Sequence, residues 1–386
     1  MKLVLAHDSF TQLGGAERVL LCMADIFPEA PIYTLVLDKN IAKQLPTQIL
    51  HRIRVTKLQC LYNVFPVFQY LLPLIPFALR LTKLPKCDVL FSSSSAFAKG
   101  FRKPKGARHV NYCHTPTRFL WTDSEYFAQE VPKVLRFPAK IFLRWMKTWD
   151  LRVTKNVDVF VANSKEVQAR IKKYYKRDSE VIYPFVDTEF WKPLHEDKAY
   201  RGKGIVQDAV SSTTLYTLHP NPYFLIAGRL HAHKHNDLVI NACNDLGLNL
   251  HVVGTGRDEA HLRAIAGPTI TFLGRISDED LKNEYRGARG YIYPQVEDFG
   301  LMPLEAAACG TASIGVSLGG SLETIIPGIT GEWFSVGNKN ELKGLLQNWD
   351  ESKYSVEALR AHAEEFSKKK FIAQIQGVVN AEIPNA

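Results

Sequence analysis

No two of the six cysteines stand at CxxC or CxxH spacing; Cys22, Cys60, Cys87, Cys113, Cys243 and Cys309 are scattered along the 386 residues. Neither a zinc site nor a disulfide framework is indicated, and a reduced, cytosolic setting is the simplest reading. A GxGxxG run is absent too, so the sequence carries no dinucleotide fingerprint. The apolar run in the opening MKLVLAHDSF is too short for a signal peptide and reads as a first buried strand. The widest gap is one of charge: from Lys39 to Cys87 there is no acidic residue. That run carries Arg52, Arg54, Lys57, Arg80, Lys83 and Lys86 around the uncharged LQCLYNVFPVFQYLLPLIPFAL, residues 58–79. By length the uncharged part could just span a bilayer. Pro66, Pro73 and Pro76, with Gln59, Asn63 and Gln69, argue against a spanning helix. The expected form is a broken amphipathic element lying on an anionic membrane surface, with a pair of core helices as the competing reading.

What is present is ordinary for a soluble protein: 46% hydrophobic and 23% charged residues, in a length that suits two domains. Lys and Arg exceed Asp and Glu by nine, 48 against 39, with a sequence pI near 9.1. Such a surplus fits anionic partners: phosphorylated substrates, nucleic acid or acidic lipid. No recognised nucleic-acid motif or interleaved aromatic platform accompanies it, so nucleic acid is not an expected partner.

The stretch QVEDFGLMPLEAAACG, residues 295–310, organises the chain. Glu297 and Glu305 stand either side of a turn (Asp298, Phe299, Gly300) that leads into an apolar, Ala-rich segment, and GARGYIYP before it reads as a short buried strand. A helix beginning near Leu301 and Met302 aims its free N–H groups and positive dipole end at the loop, a cradle for phosphate. Glu305, about one turn in, and Glu297 at the loop entrance suit the hydroxyls of the same ligand. A sugar nucleotide fits. Glu305 as a dipole-favoured glutamate and Glu297 as a solvated loop residue remain the plain alternatives.

The rest of the chain alternates short strands and helices, which implies parallel sheets covered on both faces. Gly14 and Gly15 fall in the first strand-to-helix loop, where glycine lets backbone approach a ligand; a tight turn without a ligand is equally open. Val110–Cys113 reads as a strand ending at His114, and ligands of open α/β sheets collect at such carboxyl ends. From 132 to 155, Arg136, Lys140, Arg144 and Lys147 lie beside a stripe of Phe137, Ile141, Trp145 and Trp149. This is either a second membrane- or acceptor-facing surface or a simple amphipathic surface helix. Residues 192–220 read as a linker, and the segment from about Glu357 as polar helix that packs back across the domains. In AGRLHAHKHND, Arg229 and Lys234 follow a strand and converge on its carboxyl end, Arg as a bidentate phosphate ligand and Lys as a point charge. Asp278 and Asp280 have DxD spacing, but after Ser277 they stand at a helix start as caps, so no metal site is expected.

Taken together, GGAER, CHTPTRFLWTD, IYPFVDTEFW, AGRLHAHKHND, FLGRISDEDL and EDFGLMPLEAAACG resemble the family-4 glycosyltransferases over almost the whole chain. Within them the sequence is similar to mannosyltransferases of bacterial O-antigen and exopolysaccharide assembly. The resemblance implies the α/β GT-B fold, two Rossmann-like domains with parallel sheets facing a cleft. Residues 1–190 would bind acceptor and 191–365 the donor, with a C-terminal helix of about 366–386 packing back on the first. It implies a retaining, metal-independent hexosyltransferase without a cofactor, using a nucleotide-sugar donor, GDP-mannose favoured. The acceptor would be lipid-linked or a saccharide, and the enzyme cytoplasmic, peripheral on the inner face of the cell membrane. Carried over, Glu305 holds ribose hydroxyls, and Glu297 with the backbone of Asp298, Phe299, Gly300, Leu301 and Met302 holds the donor sugar. Arg229 and Lys234 neutralise the diphosphate as its charge grows. Gly14 and Gly15 approach the diphosphate and acceptor, His114 lies beside the anomeric carbon, and the backbone around Arg275 and Ile276 meets the base. His235 and Asn236 depart from relatives that often carry Arg or Gly there. His231, His233 and His235 tune donor choice or form a solvent-facing cluster, the latter favoured. No carboxylate pair suggests double displacement; the resemblance implies a front-face route in which the leaving phosphate helps deprotonate the acceptor. UDP-linked hexoses, another reaction on this architecture such as epimerisation or phosphorolysis, and a non-catalytic sugar-nucleotide binder are the rival readings.

Overall fold

A computed structural model describes residues 1–122, 136–194 and 222–382. Most of the expected linker, 192–220, and the first residues of the expected 132–155 helix fall outside the described residues. The chain divides into two compact units, Met1–Pro184 with Phe371–Ala386, and Phe185–Lys370.

The first unit is built on β1 (Leu3–His7), β2 (Ile32–Thr34), β3 (Ile53–Val55), β4 (Val89–Ser94), β5 (Arg108–Cys113), β6 (Val159–Ala162) and β7 (Glu180–Val181). Their spatial order is β3-β2-β1-β4-β5-β6-β7, every pairing parallel. Continuous apolar runs such as Leu3–Ala6 are buried on both sides, as a helix-covered parallel sheet requires. The second unit orders β8 (Phe224–Ala227), β9 (Leu250–Val253), β10 (Ile270–Gly274), β11 (Gly290–Tyr293), β12 (Ser313–Val316) and β13 (Gly331–Phe334) as β10-β9-β8-β11-β12-β13, again all parallel. These are the two sheets of the GT-B fold. Strand order reverses between β1 and β4 in one unit and between β8 and β11 in the other. At such switch points the loops leaving the carboxyl ends diverge and open a crevice.

The acid-free segment is broken as its prolines require. A helix at Leu58–Val64 gives way to a 3-10 stretch at Phe68–Leu74 and a second helix at Ile75–Leu81. One side of the segment is core and the other faces outward. Leu58, Tyr62, Leu71, Leu72, Ile75 and Leu79 join the core of the first unit, while Phe65, Tyr70, Phe77 and Leu81 stay exposed. Among the described residues no helix is long and apolar enough to cross a membrane.

The Arg136–Thr154 helix buries Leu143, Met146, Asp150 and Val153, and its Phe137, Ile141 and Trp145 point outward. Asp150 is completely buried and meets Lys99, itself buried, at 2.8 Å. It also accepts from the Thr117 hydroxyl (3.0 Å) and the Trp121 indole N–H (2.8 Å). Every partner is thus satisfied, the condition under which a buried pair is tolerated. At the other end of the chain Phe371 packs edge-on against Tyr112 at 6.0 Å and Glu382 pairs with Arg108 at 2.7 Å, which ties the last helix to β5.

Removing one partner of a desolvated pair strands the other charge. Asp150→Ala is expected to lower the stability of the first unit by about 3–5 kcal/mol, read as an earlier first transition in urea with the second unchanged. Replacing both Lys99 and Asp150 by apolar residues is expected to cost less than Asp150→Ala alone.

Candidate functional site

In the second unit the residues leaving β8 and β11 meet at the strand-order reversal. After β8 the backbone of Gly228–Leu230 is hydrogen-bonded to the loop after β9: Gly228 N–H to Val253 C=O and Leu230 N–H to Thr255 C=O, both at 3.0 Å. The approach is so close that a Cβ on Gly254 would lie 1.8 Å from the Gly228 carbonyl oxygen. Arg229 therefore leaves a loop with little freedom to move. A 3-10 turn, Ala232–Lys234, then brings Lys234, largely buried, onto Glu297, with which it forms an ion pair. The other Glu297 oxygen accepts from the Tyr293 hydroxyl of β11 at 2.7 Å. Burial first, and then Glu297, push the Tyr293 phenol well above its usual range, so it stays a neutral donor. The two oxygens of Glu297 are thereby fixed from two segments, the turn after β8 and the end of β11, while its side chain remains about one-third exposed.

The loop 297–300 is closed from below. Gly320, after β12, donates its N–H to the Glu297 carbonyl at 2.9 Å. Gly300 takes a left-handed φ of +88° as the residue before the Leu301–Ala308 helix. A side chain there would be strained and would also lie 2.8 Å from the Tyr293 hydroxyl. No side chain caps that helix, so its first-turn N–H groups face the loop, with Pro303 contributing none. Met302, half-buried, accepts from the Tyr291 hydroxyl through Sδ at 3.5 Å. Asp298 is half-buried, Phe299 is buried against Phe366 at 5.6 Å between ring centroids, and Glu305 is buried one turn into the helix.

Arg229, Lys234, Glu297 to Met302, and Glu305 are thus gathered at the β8/β11 reversal. Arg275, exposed, and Ile276, half-buried, follow β10, the edge strand two places from β8. His231 and His233 stack at 5.6 Å with His233 exposed, a surface pair; burial first, then Arg229, Arg257 and Lys234, hold the His231 imidazole below its ordinary value. Ser277 accepts the Asp280 N–H at 3.1 Å as a helix cap.

The first unit has its own crevice where β1 and β4 part, a cleft of about 170 Å³ lined by His7, Asp8, Thr11, Glu17, Phe68 and Phe97 among others. The Asp8 carboxylate accepts four successive backbone N–H groups, from Ser95 (2.7 Å), Ala96 (2.8 Å), Phe97 (2.7 Å) and Ala98 (2.5 Å). Glu17 accepts the Gly14 N–H at 2.7 Å and lies 3.5 Å from His7 Nε2. Against burial, which would raise it, His7 and then the Gly14 N–H hold the Glu17 carboxyl below its usual value. Gly14 is half-buried and Gly15 exposed, so the glycine loop is anchored from beneath by one carboxylate. His114 is buried beside this cleft, its Nε2 at 2.8 Å from the Ser93 hydroxyl, while the Ser93 carbonyl meets His7 Nδ1 at 3.2 Å. Burial and then His7 depress the His114 pKa to about 3. It is a neutral imidazole, suited to holding a hydroxyl and not to supplying charge. His7, Asp8, Glu17, Lys99, Asp150 and Tyr293 had no place in the sequence reading. The HDS directly after the first apolar run and the acid three residues past Gly14 were the available signals.

His109 (about 4) and His114 (about 3) are both kept neutral by burial above all. The unfolded chain takes up a proton on each near pH 6.5. Their contribution to stability is complete above about pH 6.5 and is lost as pH falls toward those depressed values. Urea midpoints of the first unit are expected to drop across that window, and to drop less in His109→Gln.

Residues 13–190 match the family model Glycosyltransferase Family 4, and residues 217–370 the model Glycosyl transferases group 1. Over 203 residues the chain is 29% identical to the D-inositol 3-phosphate glycosyltransferase of Geodermatophilus obscurus, which covers 47% of this chain and 42% of that protein. Over 139 residues it is 32% identical to the GDP-mannose-dependent monoacylated alpha-(1-6)-phosphatidylinositol monomannoside mannosyltransferase of Corynebacterium glutamicum, covering 31% of this chain and 36% of that one. The chain thus spans less than half the length of these two curated relatives. Among solved structures, Anabaena HepE in complex with UDP superposes with a TM-score of 0.70 at 15% identity, over 99% of this chain and 100% of that one. That likeness speaks for the fold. With each half matched by a glycosyltransferase model and both sheets those of the GT-B fold, the chain belongs to the GT-B glycosyltransferases.

Proposed function

We propose that this protein is a retaining, metal-independent hexosyltransferase that moves mannose from GDP-mannose to a lipid-linked or oligosaccharide acceptor in bacterial surface-polysaccharide assembly. The observation that carries the reading is the clamp on Glu297: a carboxylate held by Lys234 and Tyr293 at the mouth of an uncapped helix N-terminus, with Glu305 one turn behind. Such a site offers N–H groups and cations to phosphate and fixed carboxylates to hydroxyls.

In this reading Glu305 takes the ribose hydroxyls and Glu297 the hydroxyls of the donor sugar. The backbone of Asp298, Phe299, Gly300, Leu301 and Met302 shapes the sugar pocket, and Arg275 and Ile276 flank the base. As the glycosidic bond lengthens, negative charge gathers on the departing diphosphate. Arg229 and Lys234 meet that charge, and because the surrounding backbone is fixed they need little reorganisation to do so. From the first unit, Gly14 and Gly15 serve the diphosphate and acceptor. His114, neutral, holds a hydroxyl near the anomeric centre. The departing phosphate oxygen accepts the acceptor's proton on the same face that the new bond forms.

GDP-mannose is favoured by the named donor of the Corynebacterium relative. A UDP-linked hexose is the second reading, favoured by the UDP and UDP-glucose held in the HepE structures.

The deciding measurement is slow hydrolysis of a panel of nucleotide sugars by the purified protein, without acceptor and with EDTA present. GDP-mannose alone is expected to turn over; a UDP-hexose in its place would transfer the reading to that donor. Silence across the panel, with Glu305→Ala indistinguishable from wild type, would leave a binding protein. Glu297→Ala is expected to lower turnover about tenfold to hundredfold, the worth of a hydrogen bond to a charged group, with a smaller loss of nucleotide affinity. Unchanged turnover would remove Glu297 from the sugar pocket.

A further inference from the structure

The first unit carries one face on which large apolar side chains stay in water. From the acid-free segment Phe65 (63% exposed), Tyr70 (74%) and Phe77 (57%) turn outward, and from the Arg136–Thr154 helix Phe137 (74%) and Ile141 do the same. The rings of Phe77 and Trp145 stack at 6.4 Å, so the two stretches, remote in sequence, form one surface. An apolar surface of this kind marks an interaction site.

Among the described residues of these elements, the exposed charge is of one sign. Lys57, Arg80, Lys83, Lys140 and Arg144 are exposed on these elements. The acid-free segment has no carboxylate to offer, and the one acid of the Arg136–Thr154 helix, Asp150, is turned inward onto Lys99, Thr117 and Trp121. Of the described acids that flank the acid-free segment, Asp38 is engaged by the Tyr62 hydroxyl and the Asn40 N–H, and Asp88 by the Lys2 N–H. Protein interfaces are depleted in lysine. Exposed aromatics bordered by lysine and arginine suit instead the boundary between acyl chains and anionic headgroups.

We infer that this face docks the first unit on a bilayer surface containing anionic lipid. Aromatic and aliphatic side chains enter the headgroup boundary, and the cations rest on lipid phosphates. The docking face backs onto the working part of the unit. Phe68, from the same acid-free segment, lines the cleft with His7 and Glu17. Asp150, on the inner side of the same helix, holds Thr117, three residues past His114. An acceptor carried by lipid would therefore reach the cleft from the surface on which the protein sits. That last point rests on the proposed transfer reaction; the docking does not.

The test is co-sedimentation of the full chain with vesicles of phosphatidylcholine, with and without phosphatidylglycerol. Binding is expected only with the anionic lipid, and is expected to fade as salt shortens the screening length from about 10 Å to about 3 Å. The triple variant Phe65→Ser, Tyr70→Ser, Phe137→Ser is expected to lose most of that binding, as is Lys140→Glu with Arg144→Glu. These residues lie outside the core and outside the nucleotide site. Unfolding midpoints and donor hydrolysis in solution are therefore expected to match wild type, which separates a failure of docking from a failure of the transfer reading. Equal binding to neutral vesicles, no binding to either, or full binding by both variants would overturn the inference. A dimer in solution that the triple variant dissociates would overturn it as well and assign the face to a second copy of the chain.

Discussion

Every strand pairing in both sheets is parallel, and that constraint arranges everything else. Parallel neighbours cannot be joined by a tight turn, so each connection must cross a face of the sheet. All the carboxyl ends of a sheet then lie at one edge. A reversal of strand order leaves one gap along that edge where successive loops part instead of covering each other. His7, Asp8 and the Ser95–Ala98 loop stand at that gap in the first unit. Gly228, Arg229 and the Glu297–Gly300 loop stand at it in the second. Polar side chains in these places are consequences of topology before they are consequences of chemistry.

What the chemistry adds is restraint. In each crevice a carboxylate is held by several groups: Asp8 by four successive backbone N–H groups of the Ser95–Ala98 loop, Glu297 by Lys234 and Tyr293. Glycines let the supporting backbones come close enough to do this. The Gly254 Cα faces the Gly228 carbonyl where no side chain fits, and Gly300 turns the chain into its helix against the Tyr293 hydroxyl. A site whose donors and acceptors are already fixed spends little of a ligand's binding energy on ordering them.

The first unit also separates its charges. Two carboxylates of the first unit are turned inward, Asp150 onto Lys99 and Glu17 onto the Gly14 N–H, while cations and aromatic rings occupy one outer face. The inner side of the Arg136–Thr154 helix is bonded to the loop beyond His114. Its outer side is free of acid. A helix that looks uniformly amphipathic in sequence is in fact divided by one aspartate, which could not be buried without the lysine opposite.

Much of this was legible in one dimension because it is local. The period of apolar residues, the glycine and proline punctuation and the serine caps follow from backbone geometry and nearest neighbours. They suffice for the alternation of short strands with helices, for the start of the helix at Leu301 and for the break of the acid-free segment at its prolines, though not for the short strands at Ile32–Thr34 and Ile53–Val55. The cluster of Arg229, Lys234, Glu297 and Glu305 could be picked out because each follows a strand in the expected phase. The sequence by itself could not pair Lys234 with Glu297, bind Tyr293 to the same carboxylate, or set Asp150 against Lys99. Those contacts join segments on different strands and helices, and which of them meet depends on sheet order and register. Nor could it decide which side of the acid-free segment faces water, since a broken helix with apolar residues all round fits a core and a surface equally well. Only packing against β1, β4 and the long basic helix decides that, because burial is a property of neighbours that local sequence does not specify.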